Sequence, residues 1–255
     1  HATHLQGGIR AFGIGGQWND AFLDSLTAKT GGSCRFISNA KDIRNFLLDK
    51  AIGLRHIYAN HVTYHYETPP EIDLSYAFRI NPDSTPLTIG SPIILGAVPR
   101  KGRLSLLLEF HVNSIPAGIT EVTLGEGRIS YQTPANMDTA TFIQRLEFKL
   151  PVSSVLDGSP PPPALVQAMS SLTLYRIQEK ARADMARGDY LAASRRLQNL
   201  ATHLLAQGQR DLARSVMNEI NHIQQHQSFS AEGEKQIKYG TRSLILPTGM
   251  EDKQL

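Results

Sequence analysis

The apolar positions along this chain change their period twice, and each change marks a different kind of structure. Up to about residue 52, short β-type runs alternate with helical spacing. Gly8-Ile9-Arg10-Ala11-Phe12-Gly13-Ile14-Gly15 reads as a strand broken by glycine. Trp18, Phe22, Leu23 and Leu26 fall on one face of a helix with Asn19 and Asp20 in its first turn. Gly31-Gly32 ends that helix as a left-handed cap, and Phe36-Ile37 forms a second strand. Asp42 opens a helix with inward positions Ile43, Phe46 and Leu47 and with Ile52 at its end. Strand, helix, strand, helix predicts that residues 1–53 are the C-terminal part of an α/β doubly wound, Rossmann-like sheet.

From 54 to 156 the period becomes two. Val62-Thr63-Tyr64-His65-Tyr66, the run from Ile72 to Ile80 and Ile129-Ser130-Tyr131 alternate, and residues 104–112 and 141–152 add further strands. Turn signals separate them at Pro69-Pro70, Asn81-Pro82-Asp83, Pro99-Arg100-Lys101-Gly102 and Gly125-Glu126-Gly127. Short alternating strands at this spacing predict a β-sandwich. Residues 157–163, with four prolines in a row, read as a stiff polyproline linker.

From 164 to 246 the period returns to 3.6 and predicts an α-helical bundle. Leu165, Met169, Leu172, Tyr175, Ile177 and Ala181 share a broad face in its first helix. Gly188-Asp189 breaks the pattern. Leu191, Leu197, Leu200, Leu204 and Leu205 define a second helix, ended by Gly208. Leu212, Val216, Ile220 and Ile223 define a third. Ser230-Ala231-Glu232 opens a fourth, with Ile237, Tyr239 and Leu244 inward. Residues 247–255 read as a polar, flexible tail.

Composition adds exclusions. A net charge of +3 on 255 residues is too small to indicate a nucleic-acid or anionic-membrane surface, and its Lys and Arg are interspersed with Asp and Glu. No nucleic acid is expected as a partner. No apolar run reaches the ~20 residues of a membrane span, so none is expected. The single cysteine, Cys34, reads as a small buried residue and gives no reason to expect an oxidising compartment, so a cytoplasmic protein is expected. His1-Ala2-Thr3-His4 lacks an initiating Met, which reads as a start trimmed or cut from a longer chain.

Candidate chemistry is sparse. Gly13-Ile14-Gly15-Gly16 places glycines between a strand and a helix, but Trp18 stands where a dinucleotide cradle needs its third glycine and no Lys-Ser or Lys-Thr follows. A tight strand-end turn is the better reading. His61 and His65, four apart on a strand with His56 nearby, should share a face; so should His222 and His226 on a helix, with Glu219 one turn before. Zinc needs three or four ligands, and neither pair has a completing Cys or acid at a telling spacing. Glu109 and Glu147 lie in strands with nothing to mark them as an acid–base pair. No nucleophile elbow or Cys/His signature occurs. The expectation is therefore no catalytic, cofactor-binding or metal residue, and no enzyme.

Taken in order, the run from Ile9 to Leu23, then Thr30-Gly31-Gly32-Ser33-Cys34-Arg35-Phe36-Ile37, then Asp42-Ile43 and Phe46-Leu47 resembles the last third of a von Willebrand factor A domain. The remainder resembles the C-terminal half of bacterial proteins of that family. There a β-sandwich and a helical tail follow, and the tail carries patterns like Ala186-Arg187-Gly188-Asp189-Tyr190-Leu191-Ala192-Ala193, Leu204-Leu205 and Tyr239-Gly240-Thr241-Arg242-Ser243-Leu244. The resemblance implies a non-enzymatic protein-binding or scaffold module. The family holds Mg²⁺ through Asp-x-Ser-x-Ser, a Thr and an Asp, all upstream of the segment matched here. This chain has no such motif; Asp157-Gly158-Ser159-Pro160-Pro161 fails at its last position. Mg²⁺ is thus expected only for a longer chain, and the missing N-terminal half of the same protein is one expected partner. Two other readings stand beside this one. A helical adaptor would bind a peptide through a tetratricopeptide-like Gly188-x-Tyr190-x-x-Ala193 hairpin, though a spacing of twenty to Gly208 misses that repeat. A metal-dependent enzyme would use the His61/His65 face.

Overall fold

The computed structural model describes residues 8–37, 43–44, 47–48, 57–133, 141–155 and 158–245. Among these, the N-terminal segment forms β1 (Arg10–Ile14), α1 (Asp20–Ala28) and β2 (Ser33–Ile37), with β1 and β2 paired in a two-stranded sheet. Of the helix expected after Asp42, Ile43, Arg44, Leu47 and Leu48 are helical; Asp42, Phe46 and Ile52 lie outside the described residues. The chain divides into two compact units. Residues 1–11, 21–34 and 41–160 belong to the first, and residues 12–20, 35–40 and 161–255 to the second.

The first unit is built on β3 (Ile57–Glu67), β4 (Ile72–Asn81), β5 (Thr85–Pro86), β6 (Ile93–Pro99), β7 (Ser105–Val112), β8 (Glu121–Gln132) and β9 (Phe142–Pro151). Two antiparallel sheets result, in the orders β6-β3-β8-β9 and β5-β4-β7. Their apolar residues share one cluster: Ala59, Val62 and Tyr64 of β3, Leu74 and Ala77 of β4, and Ile93 and Leu95 of β6, with Phe110 and Phe148 packed against it. Strand β6 was not anticipated, although Ile93-Ile94-Leu95 is a strand-sized apolar run. Gly125-Glu126-Gly127 is no turn; it lies inside β8. A Cβ on Gly127 would sit 2.3 Å from the carbonyl oxygen of His65, so this glycine admits a close neighbouring strand.

An arginine fixes the glycine turn after α1 within this unit. Gly31 has φ +67°; its amide donates to the Ala28 carbonyl and that of Gly32 to Thr27, which together make a Schellman cap. The buried carbonyls of those two glycines accept from Arg79 Nη1 and Nη2, each at 2.7 Å. Arg79 Nη1 also donates to the Leu95 carbonyl, and Nε to that of Asp83. Arg79 is 1% exposed. Burial lowers its pKa to about 10, opposed by Asp83 and reinforced by Arg10, so it stays cationic at neutral pH.

The second unit contains α2 (Pro163–Ala186), α3 (Tyr190–Ala206), α4 (Arg210–His226) and α5 (Ala231–Ser243). Proline opens α2 at the position where a missing N–H costs nothing. Gly188 and Gly208, at φ +78° and +75°, end α2 and α3 with the same paired hydrogen bonds as Gly31. Asp189 then caps α3 by accepting from the Ala192 amide. Leu174, Ala181, Leu197, Leu200, Leu204, Val216, Ile220, Ile223 and Ile237 form the core. The expected inward sets need correction at their ends. Leu165 and Met169 are 38% and 54% exposed, and Leu191 and Leu205 are 64% and 48% exposed. No helix among the described residues is long and apolar enough to cross a membrane.

Candidate functional site

The glycine run before α1 and the closing motif of α5 meet within the second unit. Gly15 has φ +63°, and its carbonyl accepts from Trp18 Nε1 at 2.8 Å, folding the indole back over the turn. A Cβ on Gly13 would lie 1.9 Å from that indole, and one on Gly16 would lie 2.9 Å from Ala231 backbone. These glycines therefore serve close packing, in keeping with the strand-end turn. Lys235 Nζ donates to the Gly16 carbonyl at 2.6 Å and lies over the Trp18 ring. Trp18 contacts Tyr239 at 5.7 Å between centroids.

Asp20, the first residue of α1, receives Lys238 Nζ at 2.5 Å and Arg182 Nη2 at 3.1 Å; Arg182 Nε also donates to Glu234 at 2.6 Å. Burial alone would raise the Asp20 pKa, but the hydrogen bond and charge of Lys238, with those of Arg182, hold it below the usual carboxylate range. Glu179 is pushed the other way: burial raises it, against the Tyr175 hydrogen bond and the charges of Arg242, Lys238 and Arg176. Arg242, 3% exposed, donates to the Tyr175 hydroxyl and lies over the Tyr175 and Tyr239 rings. Lys235 and Lys238 are 6% and 5% exposed. Buried charges of this kind persist only when paired. The pairs here consume the donors and carboxylates in holding residues 12–20 to α2 and α5. In sequence Asp20 marks only a first helical turn and Arg242 only part of the closing pattern; Arg182, Glu234, Lys235 and Lys238 carry no signal, because interspersed charges on a helix read as solvated and their partners lie far away in the chain.

The candidate residues read from sequence distribute as follows. His61 has φ +50° and sits in a β-bulge, where Asn60 pairs Gln132 but Thr63 pairs Ser130. The extra residue reverses the alternation, so that Ala59 is buried before the bulge and Val62 and Tyr64 after it. Equal parity therefore no longer places His61 on the face of His65. His56 lies outside the described residues. His222 and His226 are brought together on α4 with ring centroids 4.4 Å apart. Glu219 does not join them. It is 3% exposed, and its carboxylate accepts from the Ser230 amide and, at 2.7 Å, from the Ser230 hydroxyl; that hydroxyl in turn accepts from the Gly233 amide at the start of α5. Glu109 lies in β7 beside Ser75, and Glu147 lies in β9 bound to Lys149 at 2.7 Å. Cys34 is buried. Among the described residues no three His, Cys, Asp or Glu side chains gather as metal ligands.

Comparison with known proteins adds the family context. Residues 163–247 match the family model described as "Sll0103-like, C-terminal alpha-helical domain". No curated protein matches the chain. Among solved structures, the von Willebrand factor type A protein from Catenulispora acidiphila is similar over 91% of this chain and 57% of its own, with 12% identity and a TM-score of 0.66. The ArnB paralog VWA2 from Sulfolobus acidocaldarius is similar over 92% of this chain and 55% of its own, with 13% identity and a TM-score of 0.44. The chain thus spans a little over half the length of these solved relatives. Its fold is like that of the von Willebrand factor type A protein, and its C-terminal helices are similar to the Sll0103-like helical domain.

Proposed function

We propose that this chain is a non-enzymatic protein-binding or scaffold module of the bacterial von Willebrand factor A type, and that its parts are the end of a doubly wound sheet, a β-sandwich and a helical tail. The metal-ion-dependent adhesion motif belongs to a longer chain. The observation that carries this reading is the use of a cluster of partly and fully buried charges in the second unit. Asp20, Arg182, Glu234 and Lys238 pair with one another between the glycine turn and the helical tail. Asp20, from the stretch that resembles the family, is thus part of an architectural clamp. The fold likeness and the match of the tail support the same reading.

No catalytic residue is assigned, and Mg²⁺ is assigned to the longer chain. A helical adaptor is the second reading, favoured by the exposed Leu165, Val166 and Met169 on the first turns of α2. Calorimetric titration separates the alternatives. Mg²⁺ or Zn²⁺ added to this chain should give no saturable heat. Stoichiometric binding of either would contradict the assignment, and zinc binding abolished by His61→Ala or His65→Ala would favour the metal-enzyme reading instead.

A further inference from the structure

The outward face of the four-stranded sheet carries its charges in rows that cost energy in a lone sheet. Across β3, β8 and β9, His65 is opposite Arg128 and Arg128 opposite Arg145. The next outward row sets Glu67 opposite Glu126 and Glu126 opposite Glu147. Like charges directly opposite are unfavourable. The two rows line an open depression of about 710 Å³. Both end at β9, which pairs only with β8 among the described residues and so leaves one edge unpaired. Its inward residues Leu146 and Phe148 pack on the core, while Phe142 and Leu150 remain 38% and 51% exposed. A ten-residue edge strand that leaves apolar side chains exposed is a template for pairing.

We propose that β9 pairs antiparallel with β9 of a second copy of this chain, with Arg145 of each copy opposite Glu147 of the other. Register selects this occupant. With those pairs formed, Leu146 lies on the two-fold axis, Phe142 faces Leu150, and every inward residue stays inward. The basic row of one copy then runs into the acidic row of the other, twice, so both rows end in opposite charge. Sliding one pair step in either direction sets Arg145 against Arg145 or Glu147 against Glu147. An odd step turns the charged face toward the core. The strand is thus complementary to itself in one central register. This interface is independent of the proposed function above.

Sedimentation velocity of the whole chain at low salt tests it. Wild type should dimerise, with the dimer weakened by added salt. Arg145→Glu and Glu147→Arg should each weaken it by about tenfold or more, because each sets like charges opposite at two symmetric positions. Mixing the two variants should restore a dimer, since every 145–147 pair across it is then opposite in charge. Circular dichroism checks that each variant is folded; both positions are exposed, and the double variant Arg145→Glu/Glu147→Arg provides a second route to restored pairing. A wild type that remains monomeric, or a dimer indifferent to the single reversals, would overturn the proposal.

Discussion

Gly233 shows how much a single position can be fixed by a distant one. A Cβ there would stand 1.9 Å from Glu219 Oε2, the carboxylate oxygen that receives the Ser230 hydroxyl. Gly233→Ala should therefore displace a buried carboxylate from its cap and cost about 3 kcal/mol in chemical denaturation. Gly158→Ala, where nothing lies within 4 Å, should cost less than about 0.5 kcal/mol. In sequence, Ser230 marks a helix start and Glu219 stands one turn before His222. Nothing local connects the two, because the contact spans eleven positions and has no spacing rule. Arg79 escaped notice for the same reason: its acceptors, the carbonyls of Gly31, Gly32 and Leu95, are backbone atoms that no motif records.

At the scale of elements, punctuation was legible because its chemistry is local. Gly31 ends its helix in the left-handed conformation expected of the Gly31-Gly32 cap, and Gly188 and Gly208, expected only as helix breaks, end theirs in the same way. Asp189 begins the next helix one residue after Gly188. What periodicity could not supply was how far each apolar face is covered. Leu197 and Leu200 are fully buried, whereas Leu191 on the same helix is 64% exposed. Leu197→Ala should therefore lower stability by about 2–5 kcal/mol, and Leu191→Ala by less than about 0.5 kcal/mol. Equal losses would contradict the packing described. In β3 the bulge at His61 likewise lies beyond a period-two reading, since a single inserted residue shifts every later side chain to the opposite face.

For the whole molecule, the weak net charge of +3 conceals strong local pairing, and this predicts a pH response. Burial would raise the Asp20 pKa, but Lys238 and Arg182 bring it in the folded state below its ordinary value of 3.8. Its ion pairs therefore stabilise the fold above that value, and the contribution is lost as the pH falls through the lower folded one. Asp20→Asn should be less stable than wild type at pH 7, and the two should converge on acidification to about pH 2. A gap that is unchanged with pH would contradict the pairing. The run of strands from β3 to β9 and the run of helices from α2 to α5 were readable from the changes in apolar period, whereas the two compact units divide the N-terminal segment between them. The contacts that draw residues 12–20 onto α5 were not readable, although the two stretches that meet there were both among those marked by the family resemblance.

The proposed function makes this chain part of a binding module whose metal chemistry resides upstream. The most direct test purifies the longer protein from its native source in Mg²⁺ or in EDTA and weighs what stays bound. A stoichiometric protein partner retained in Mg²⁺ and released by EDTA is the predicted result. A native protein no longer than this chain, or a partner equally retained in both conditions, would contradict it.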